Sequence, residues 1–138
     1  MKQEVLSVFT DGGAVGNPGP AAIGVVIKKE GKTIKKLAKF LGKATNNVAE
    51  YTAVIEALKW IDSNIKRQTS GINFFLDSKL VVSQLNGLFK IKDWKLRNLI
   101  IRVRELEREA GGNVSYHHIP RGKNREADFL VKQGLSKL

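Results

Sequence analysis

Short apolar runs separated by glycine-containing turns recur along the chain, and their spacing is typical of β-strands. Five strands are predicted, at residues 5–10, 22–28, 32–40, 72–76 and 114–119. Glu30-Gly31 between the second and third runs indicates a hairpin, and the Gly-Asn-Pro-Gly-Pro segment at 16–20 predicts a loop. The first three strands therefore follow one another without an intervening helix.

Helical periodicity covers most of the remaining residues. Four helices are predicted, from Asn46 and Asn47 to about residue 65 and at 78–88, 96–109 and 124–135. The two asparagines offer a cap for the first helix. The order βββαβααβα predicts an α/β fold in which helices pack on a mixed sheet. A chain of 138 residues suits one compact domain, 1–138.

The charge balance favours a polyanionic partner. Lys and Arg number 24 against 13 Asp and Glu, which gives a net charge of +11. The absence of cysteine excludes disulfides, thiolate zinc sites and cysteine nucleophiles. No apolar run is long enough to span a bilayer and the first residues lack the pattern of a signal peptide. We expect a cytoplasmic protein that does not bind membranes and is a monomer.

Two aspartates follow apolar runs that are predicted to be strands. Asp11 closes the run at 8–10, and Asp77 closes the run at 74–76. If these strands are parallel neighbours, the two carboxylates lie side by side at the rim where α/β sheets bind ligands. Taken alone, each aspartate favours the ordinary role of a turn or capping residue.

Two further acids begin the apolar stripes of predicted helices. Glu50 shares a stripe with residues 54, 57, 58 and 61, and Asp128 shares one with Val131 and Leu135. A carboxylate that faces a core is costly unless it is paired or bound to a metal. Another set of acids is interspersed with arginines and is predicted to lie on a solvated helix surface: Glu105, Glu107 and Glu109.

If these four acids converge, their charges require neutralisation. Hard divalent cations with oxygen ligands are the natural partners, and Mg²⁺ or Mn²⁺ fits best. Two such ions about 4 Å apart can clamp a phosphate and activate a water for in-line attack. An acidic pocket in a strongly basic chain therefore indicates nuclease chemistry.

Four segments, taken in order, resemble the type 1 ribonuclease H family. They are Thr-Asp-Gly-Gly at 10–13 with the turn and strand at 16–24, Thr-Asn-Asn-Val-Ala-Glu-Tyr at 45–51, Asp-Ser-Lys-Leu-Val at 77–81, and Asn-Arg-Glu-Ala-Asp at 124–128. The resemblance extends from residue 5 to about residue 135. It implies the ribonuclease H fold, a five-stranded mixed sheet flanked by helices.

The resemblance also implies an activity and a set of site residues. The activity is hydrolysis of the RNA strand of RNA–DNA hybrids by two metal ions, with 3′-hydroxyl and 5′-phosphate products. The acids that the resemblance makes catalytic metal ligands are Asp11, Glu50, Asp77 and Asp128. The residues that it places at the substrate are Asn17, Thr45, Asn46, Asn47 and Lys79. Helix capping is the alternative role for Asn46 and Asn47.

The chain departs from the family pattern at two places. Many bacterial members carry a loop histidine that helps product release or proton transfer, and an ungapped count from Asp128 makes His118 the accessory candidate at that position. Ile119-Pro120 indicates that His118 still lies on a strand, which would leave Arg121 nearest the phosphate as a possible accessory group. The long basic insertion of some members is also missing. Phe89 and Trp94, among lysines and arginines, would form a smaller handle for the DNA strand unless they are ordinary packing residues.

Two other functions stay open at this point. A catalytically idle duplex-binding module of the same fold would bind hybrids without turnover, although it has no reason to keep four acids together. Another activity on the same fold is the second alternative, and cleavage of double-stranded RNA is the one that the small size of the chain leaves open. A panel of duplex and single-stranded substrates separates these functions.

Overall fold

The computed structural model describes residues 4–65 and 69–136, which form five strands, four α-helices and one short 3₁₀ turn. The strands are β1 (Glu4–Ala14), β2 (Gly19–Lys29), β3 (Lys32–Ala44), β4 (Thr69–Leu76) and β5 (Val114–His118). The helices are α1 (Asn46–Ile65), α2 (Lys79–Leu85), α3 (Trp94–Glu109) and α4 (Arg125–Leu135). The 3₁₀ turn covers Arg121–Lys123. The predicted order of strands and helices is confirmed, while one domain over 1–138 stays a prediction.

The five strands form one mixed sheet in the order β3-β2-β1-β4-β5. The first three strands are antiparallel neighbours, and β1, β4 and β5 run parallel. Parallel pairing of β1 with β4 brings Asp11 and Asp77 to the same rim, as the sequence predicted. The prediction that Asp11 closes its strand is wrong, because residues 12–14 stay paired with β2 as far as Ala21. The parallel pairing of β1 with β4 ends at Phe9 and Phe75.

Helix α1 covers one face of the sheet, and α3 packs on the side of α1 that faces away from the sheet. The apolar stripe predicted for α1 is buried along its length, from Glu50 through Val54 to Ile61. On the sheet side the largest buried side chains include Phe74 and Leu6. Helix α4 packs on the opposite face, against β1, β2 and β3. The sheet is therefore held between two helical layers, and both layers reach the rim that carries Asp11.

Two glycines allow α1 and α4 to approach this rim. A Cβ atom at Gly12 would overlap the backbone of Ala49, one residue before Glu50. A Cβ atom at Gly24, the β2 partner of Asp11, would overlap the carbonyl of Ala127. Since neither backbone can yield as a flexible side chain would, these positions require glycine. The residue after each contact is an acid, so the two close approaches bring Glu50 and Asp128 to the rim.

Local capping explains where the helices differ from their predicted bounds. The cap of α1 is Thr45, whose hydroxyl accepts from the Val48 N–H, so the expectation that Asn46 or Asn47 caps this helix is wrong. Ser78 caps α2, which stops at Leu85 rather than 88. Asp93 accepts from the first backbone amides of α3 and starts that helix two residues earlier than predicted.

Glu107 does not belong to the solvated surface predicted for it. Its side chain is 14% exposed, pairs with Arg104 at 2.9 Å and accepts a 2.6 Å hydrogen bond from the Tyr116 hydroxyl. Arg104 also donates to the Leu85 carbonyl. The alternating charges of α3 hid this network, because one helix face turns inward against α2 and β5. The network fixes α3 relative to the sheet.

Candidate metal centre and nucleic-acid groove

Three carboxylates meet at the rim between β1, β4 and α1. Ligand atoms from Asp11, Glu50 and Asp77 all lie within 4.8 Å of one another, and the first two side chains are buried. The Gly12 N–H donates to Asp11 Oδ1 at 2.9 Å. Among the described residues no lysine, arginine or histidine forms an ion pair with these three acids. The predicted convergence of strand and helix acids is present in the geometry.

Burial and mutual repulsion shift the proton affinity of the two buried acids. Desolvation, followed by the charge of Asp77, raises the pKa of Asp11 from 3.8 to about 6. Desolvation, followed by the charge of Asp11, raises the pKa of Glu50 well above its usual range. A cation among these oxygens would remove both causes, since it would replace lost solvation and screen the repulsion.

The donor set fits a hard divalent cation. All of the grouped atoms are carboxylate oxygens, which Mg²⁺ and Mn²⁺ prefer. Glu50 Oε2 is buried and has no hydrogen-bond partner among the described residues. A buried acceptor without a partner is costly. Metal coordination would satisfy it, and this observation supports the fit independently of the clustering.

Asp128 lines the same cleft but is held differently. This acidic cleft measures about 510 Å³, and its lining includes Asp11, Glu50, Asp77, Arg121, Asp128 and Lys132. The Asp128 carboxylate lies 3.1 Å from Lys132 Nζ and 3.8 Å from Arg121. Asp128 and Val131, which were predicted to share one stripe of α4, both line this cleft. The fourth acid is therefore at the site with cationic partners already beside it.

Asn124 is a site residue that the sequence reasoning did not single out. Its buried side chain donates from Nδ2 to the Thr10 carbonyl at 2.9 Å and to Asp77 Oδ2 at 3.4 Å. It thereby joins β1, the end of β4 and the start of α4. The sequence signal for this role is the place of Asn124 at the head of the Asn-x-x-Ala-Asp motif at 124–128.

Three of the predicted substrate residues accept hydrogen bonds from backbone N–H groups, and two of them, Asn17 and Asn46, are linked to each other in this way. Asn17 Oδ1 accepts from the Asn46 N–H at 3.0 Å, and Asn46 Oδ1 accepts from the Ala14 N–H at 2.8 Å. Thr45 uses its hydroxyl to cap α1. Asn47 lines the next cleft along the rim. Lys79 is exposed at the first residue of α2 and lies outside the described lining of both clefts.

A second cleft, here called the α3 cleft, lies between the start of α1 and the start of α3. It measures about 600 Å³, and its lining includes Asn17, Lys43, Thr45, Asn47, Trp94 and Lys95. The Trp94 side chain is 67% exposed and Phe89 is also exposed, so the alternative that both are ordinary packing residues is wrong. An exposed indole beside two lysines is suited to contact with a nucleic-acid strand.

The two accessory candidates occupy different positions. His118 ends β5 and is exposed, and it lies outside the described lining of the acidic cleft. Its prediction as a strand residue is confirmed. Arg121, on the 3₁₀ turn that follows, does line that cleft. In the described ranges, none of the helices has the length and apolar character needed to cross a membrane.

The fold and this site define a protein of the ribonuclease H-like class, and comparisons with known proteins agree. A family model described as reverse transcriptase-like matches residues 9–134. The solved structure of LC11-RNase H1 in complex with RNA/DNA hybrid is 40% identical at a TM-score of 0.90, over 96% of this chain and 97% of that one. The chain belongs to the ribonuclease H family, in its type 1 branch.

Relatives differ from this chain in length. Ribonuclease HI of Halobacterium salinarum is 38% identical over 94% of this chain, which spans 64% of that protein. The bifunctional protein Rv2228c of Mycobacterium tuberculosis is 35% identical over 93% of this chain, which spans 35% of that protein. The chain thus corresponds to a part of these longer relatives.

Proposed function

We propose that this protein is an endoribonuclease that hydrolyses the RNA strand of RNA–DNA hybrids with two bound Mg²⁺ or Mn²⁺ ions. The products are 3′-hydroxyl and 5′-phosphate ends. The observation that carries the proposal is the convergence of Asp11, Glu50 and Asp77 within 4.8 Å at the sheet rim, with Asp128 lining the same cleft. The LC11 relative, solved with an RNA/DNA hybrid, supports the choice of substrate.

The four acids would hold the metal ions, and the protein supplies their arrangement. Asp11, Glu50 and Asp77 form the close group, while Asp128 adds a carboxylate from α4. When bound, two divalent cations neutralise these acids and supply an activated water and a clamp on the scissile phosphate. Arg121, on the wall of the same cleft, would meet the negative charge of the cut strand.

The asparagines are arranged to read the hybrid as hydrogen-bond donors. Because Asn17 Oδ1 and Asn46 Oδ1 are each bound to a backbone N–H, the amide groups cannot rotate freely. Each Nδ2 is then the group left to face the substrate, and minor-groove base edges and 2′-hydroxyl oxygens accept hydrogen bonds. Both amides are therefore held as donors toward the substrate. Thr45 and Asn47, which line the α3 cleft, would approach phosphate oxygens.

The α3 cleft is proposed to hold the DNA strand. Trp94 can stack on a sugar or base, and Lys95 and Lys43 can neutralise phosphates. Lys79, at the start of α2, is a more remote phosphate contact. We place the protein in the cytoplasm as a monomer, and we propose cleavage of double-stranded RNA as an additional activity of the same site.

The test is a cleavage assay on four labelled substrates: hybrid, RNA duplex, DNA duplex and single-stranded RNA. The wild-type chain should cut the RNA of the hybrid in Mg²⁺ or Mn²⁺ and stop when the metal is chelated. Asp11→Asn should abolish cleavage and leave the circular dichroism spectrum unchanged. Hybrid binding without turnover by the wild type would instead establish the idle module, and cleavage that survives Asp11→Asn would refute the site.

A further inference from the structure

Lys132 lies four residues after Asp128 on α4 and turns its ammonium group into the acidic cleft. The Nζ atom is 3.1 Å from Asp128 Oδ2, and Arg121 is 3.8 Å from Oδ1 of the same carboxylate. Both oxygens of Asp128 therefore face a protein cation. The close group of Asp11, Glu50 and Asp77 has no such partner among the described residues.

This asymmetry divides the proposed metal centre into two unequal halves. Around Asp11 and Glu50, which are buried and share a 4.8 Å group with Asp77, loss of solvation and mutual repulsion favour the entry of an external cation. At Asp128 an internal ammonium already supplies positive charge. A divalent ion that uses Asp128 must displace Lys132 or share the carboxylate with it.

The displacement is feasible because the ammonium of Lys132 can leave Asp128 for solvent. Its side chain is 70% exposed, and a flexible four-carbon stem allows the ammonium to swing into solvent. The Asp128 side chain is 22% exposed, and an ion pair whose ammonium stays solvated contributes little. The lysine would thus weaken binding at this half of the centre without blocking it.

We propose that Lys132 is a resident cation of Asp128 that competes with the divalent metal and sets a weaker affinity for the ion that uses this carboxylate. This inference rests on the proposed function, since it takes Asp128 as a metal ligand. Lys132 acts through Asp128 and is therefore a positioning residue. Occupancy at Asp128 would respond to the divalent metal concentration more than occupancy at the three-carboxylate group does.

The test is calorimetric titration of the substrate-free protein with Mn²⁺, which reads metal binding apart from activity. Binding that is lost in Asp128→Asn defines the portion that depends on this carboxylate. Lys132→Gln should tighten that portion about two- to fivefold, the range expected when an exposed ion pair is removed. Arg121→Gln should have a smaller effect, because its ion pair is longer and the guanidinium is more exposed.

The matched control is Lys36→Gln. Lys36 is also an exposed lysine paired with an acid, Glu126, at 3.5 Å, and that pair lies outside the described lining of the acidic cleft. Its removal changes the net charge by the same amount and should leave Mn²⁺ affinity unchanged. Equal tightening in both lysine variants would overturn the proposal, because a general charge effect would then be sufficient.

The remaining outcomes separate this inference from the proposed function. Unchanged or weaker Mn²⁺ binding in Lys132→Gln, with a clear loss in Asp128→Asn, overturns the competition and leaves the metal centre intact. Tightening by Lys132→Gln that persists in the Asp128→Asn background also overturns it, because the effect would not pass through this acid. If Asp128→Asn binds Mn²⁺ as the wild type does, Asp128 is not a ligand and the proposed centre itself fails there.

Discussion

Gly24 lies directly opposite Asp11 in the β1–β2 ladder, and the carbonyl of Ala127 occupies the space where a Gly24 side chain would begin. A position without a side chain on β2 therefore sets the distance between the sheet rim and α4. The next residue of α4 is Asp128. The placement of the fourth acid depends on a contact that carries no charge.

The first prediction follows from this contact. Gly24→Ala should push α4 away from β2, lower the free energy of unfolding by about 1–3 kcal/mol and weaken the Asp128-dependent part of metal binding. Denaturant unfolding and Mn²⁺ titration measure the two effects. Gly122→Ala is the control, since a Cβ there meets nothing within 4 Å and its φ is ordinary. Equal losses in both variants would contradict the role given to Gly24.

The second prediction concerns pH and the metal-free protein. Because folding raises the pKa of Asp11 from 3.8 to about 6, the folded state binds this proton more tightly than the unfolded state. Stability is therefore lost as pH rises from about 4 through 6. Asp11→Asn removes the cost and should stabilise the metal-free chain by about 2–3 kcal/mol at pH 7, from about 1.4 kcal/mol per pKa unit.

The same comparison should show almost no difference at about pH 2.5 and below, where the wild-type acid is protonated in both the folded and the unfolded state. Urea unfolding of the wild type and Asp11→Asn, in the presence of a chelator and at several pH values, measures the difference in the free energy of unfolding. A stabilisation that is independent of pH would mean that the charge of Asp11 is not its cause. Mn²⁺ affinity should correspondingly fall as pH drops through 6, since the proton and the metal compete for the same oxygen.

The sequence was sufficient to predict most of the fold and the approach of the four acids to one cleft. Apolar runs and helical stripes gave the order of the elements, and the stripe that begins at Glu50 is buried as expected. The strand positions of Asp11 and Asp77 predicted their meeting once β1 and β4 were taken as parallel neighbours. These features are visible because burial imposes a period on the residues themselves.

Other features depend on contacts between distant elements and could not be read from the pattern. The role of Asn124 requires Thr10 and Asp77 to lie beside it, 114 and 47 positions away. Glu107 has the sequence surroundings of a surface residue and is drawn inward by Tyr116. The strand β1 is longer than its pattern predicts, because glycines at 12 and 13 indicate a turn when no partner strand is known.

The third prediction compares two buried tyrosine hydroxyls. The Tyr116 hydroxyl donates to the Glu107 carboxylate at 2.6 Å, and the Tyr51 hydroxyl donates to the neutral Gln84 amide oxygen at 2.6 Å. Hydrogen bonds to charged groups contribute more. Tyr116→Phe should lower the free energy of unfolding by about 2 kcal/mol, and Tyr51→Phe by about 1 kcal/mol. Thermal or urea unfolding of both variants checks the order, which a larger loss in Tyr51→Phe would contradict.

The last prediction concerns the indole in the α3 cleft. Trp94 is 67% exposed, so Trp94→Ala should leave the unfolding free energy almost unchanged. It should weaken binding of a labelled hybrid about tenfold, near the lower part of the range for loss of one base–aromatic contact. The measurement is fluorescence anisotropy in the Asp11→Asn background, in which the hybrid is not cut.

The control is Phe129→Ala, which removes an aromatic side chain on α4. Phe129 is 59% exposed and lies outside the described lining of both the acidic cleft and the α3 cleft, so this variant should bind the hybrid normally. Equal weakening in the two variants would show that exposed aromatic surface in general, rather than the α3 cleft, holds the nucleic acid.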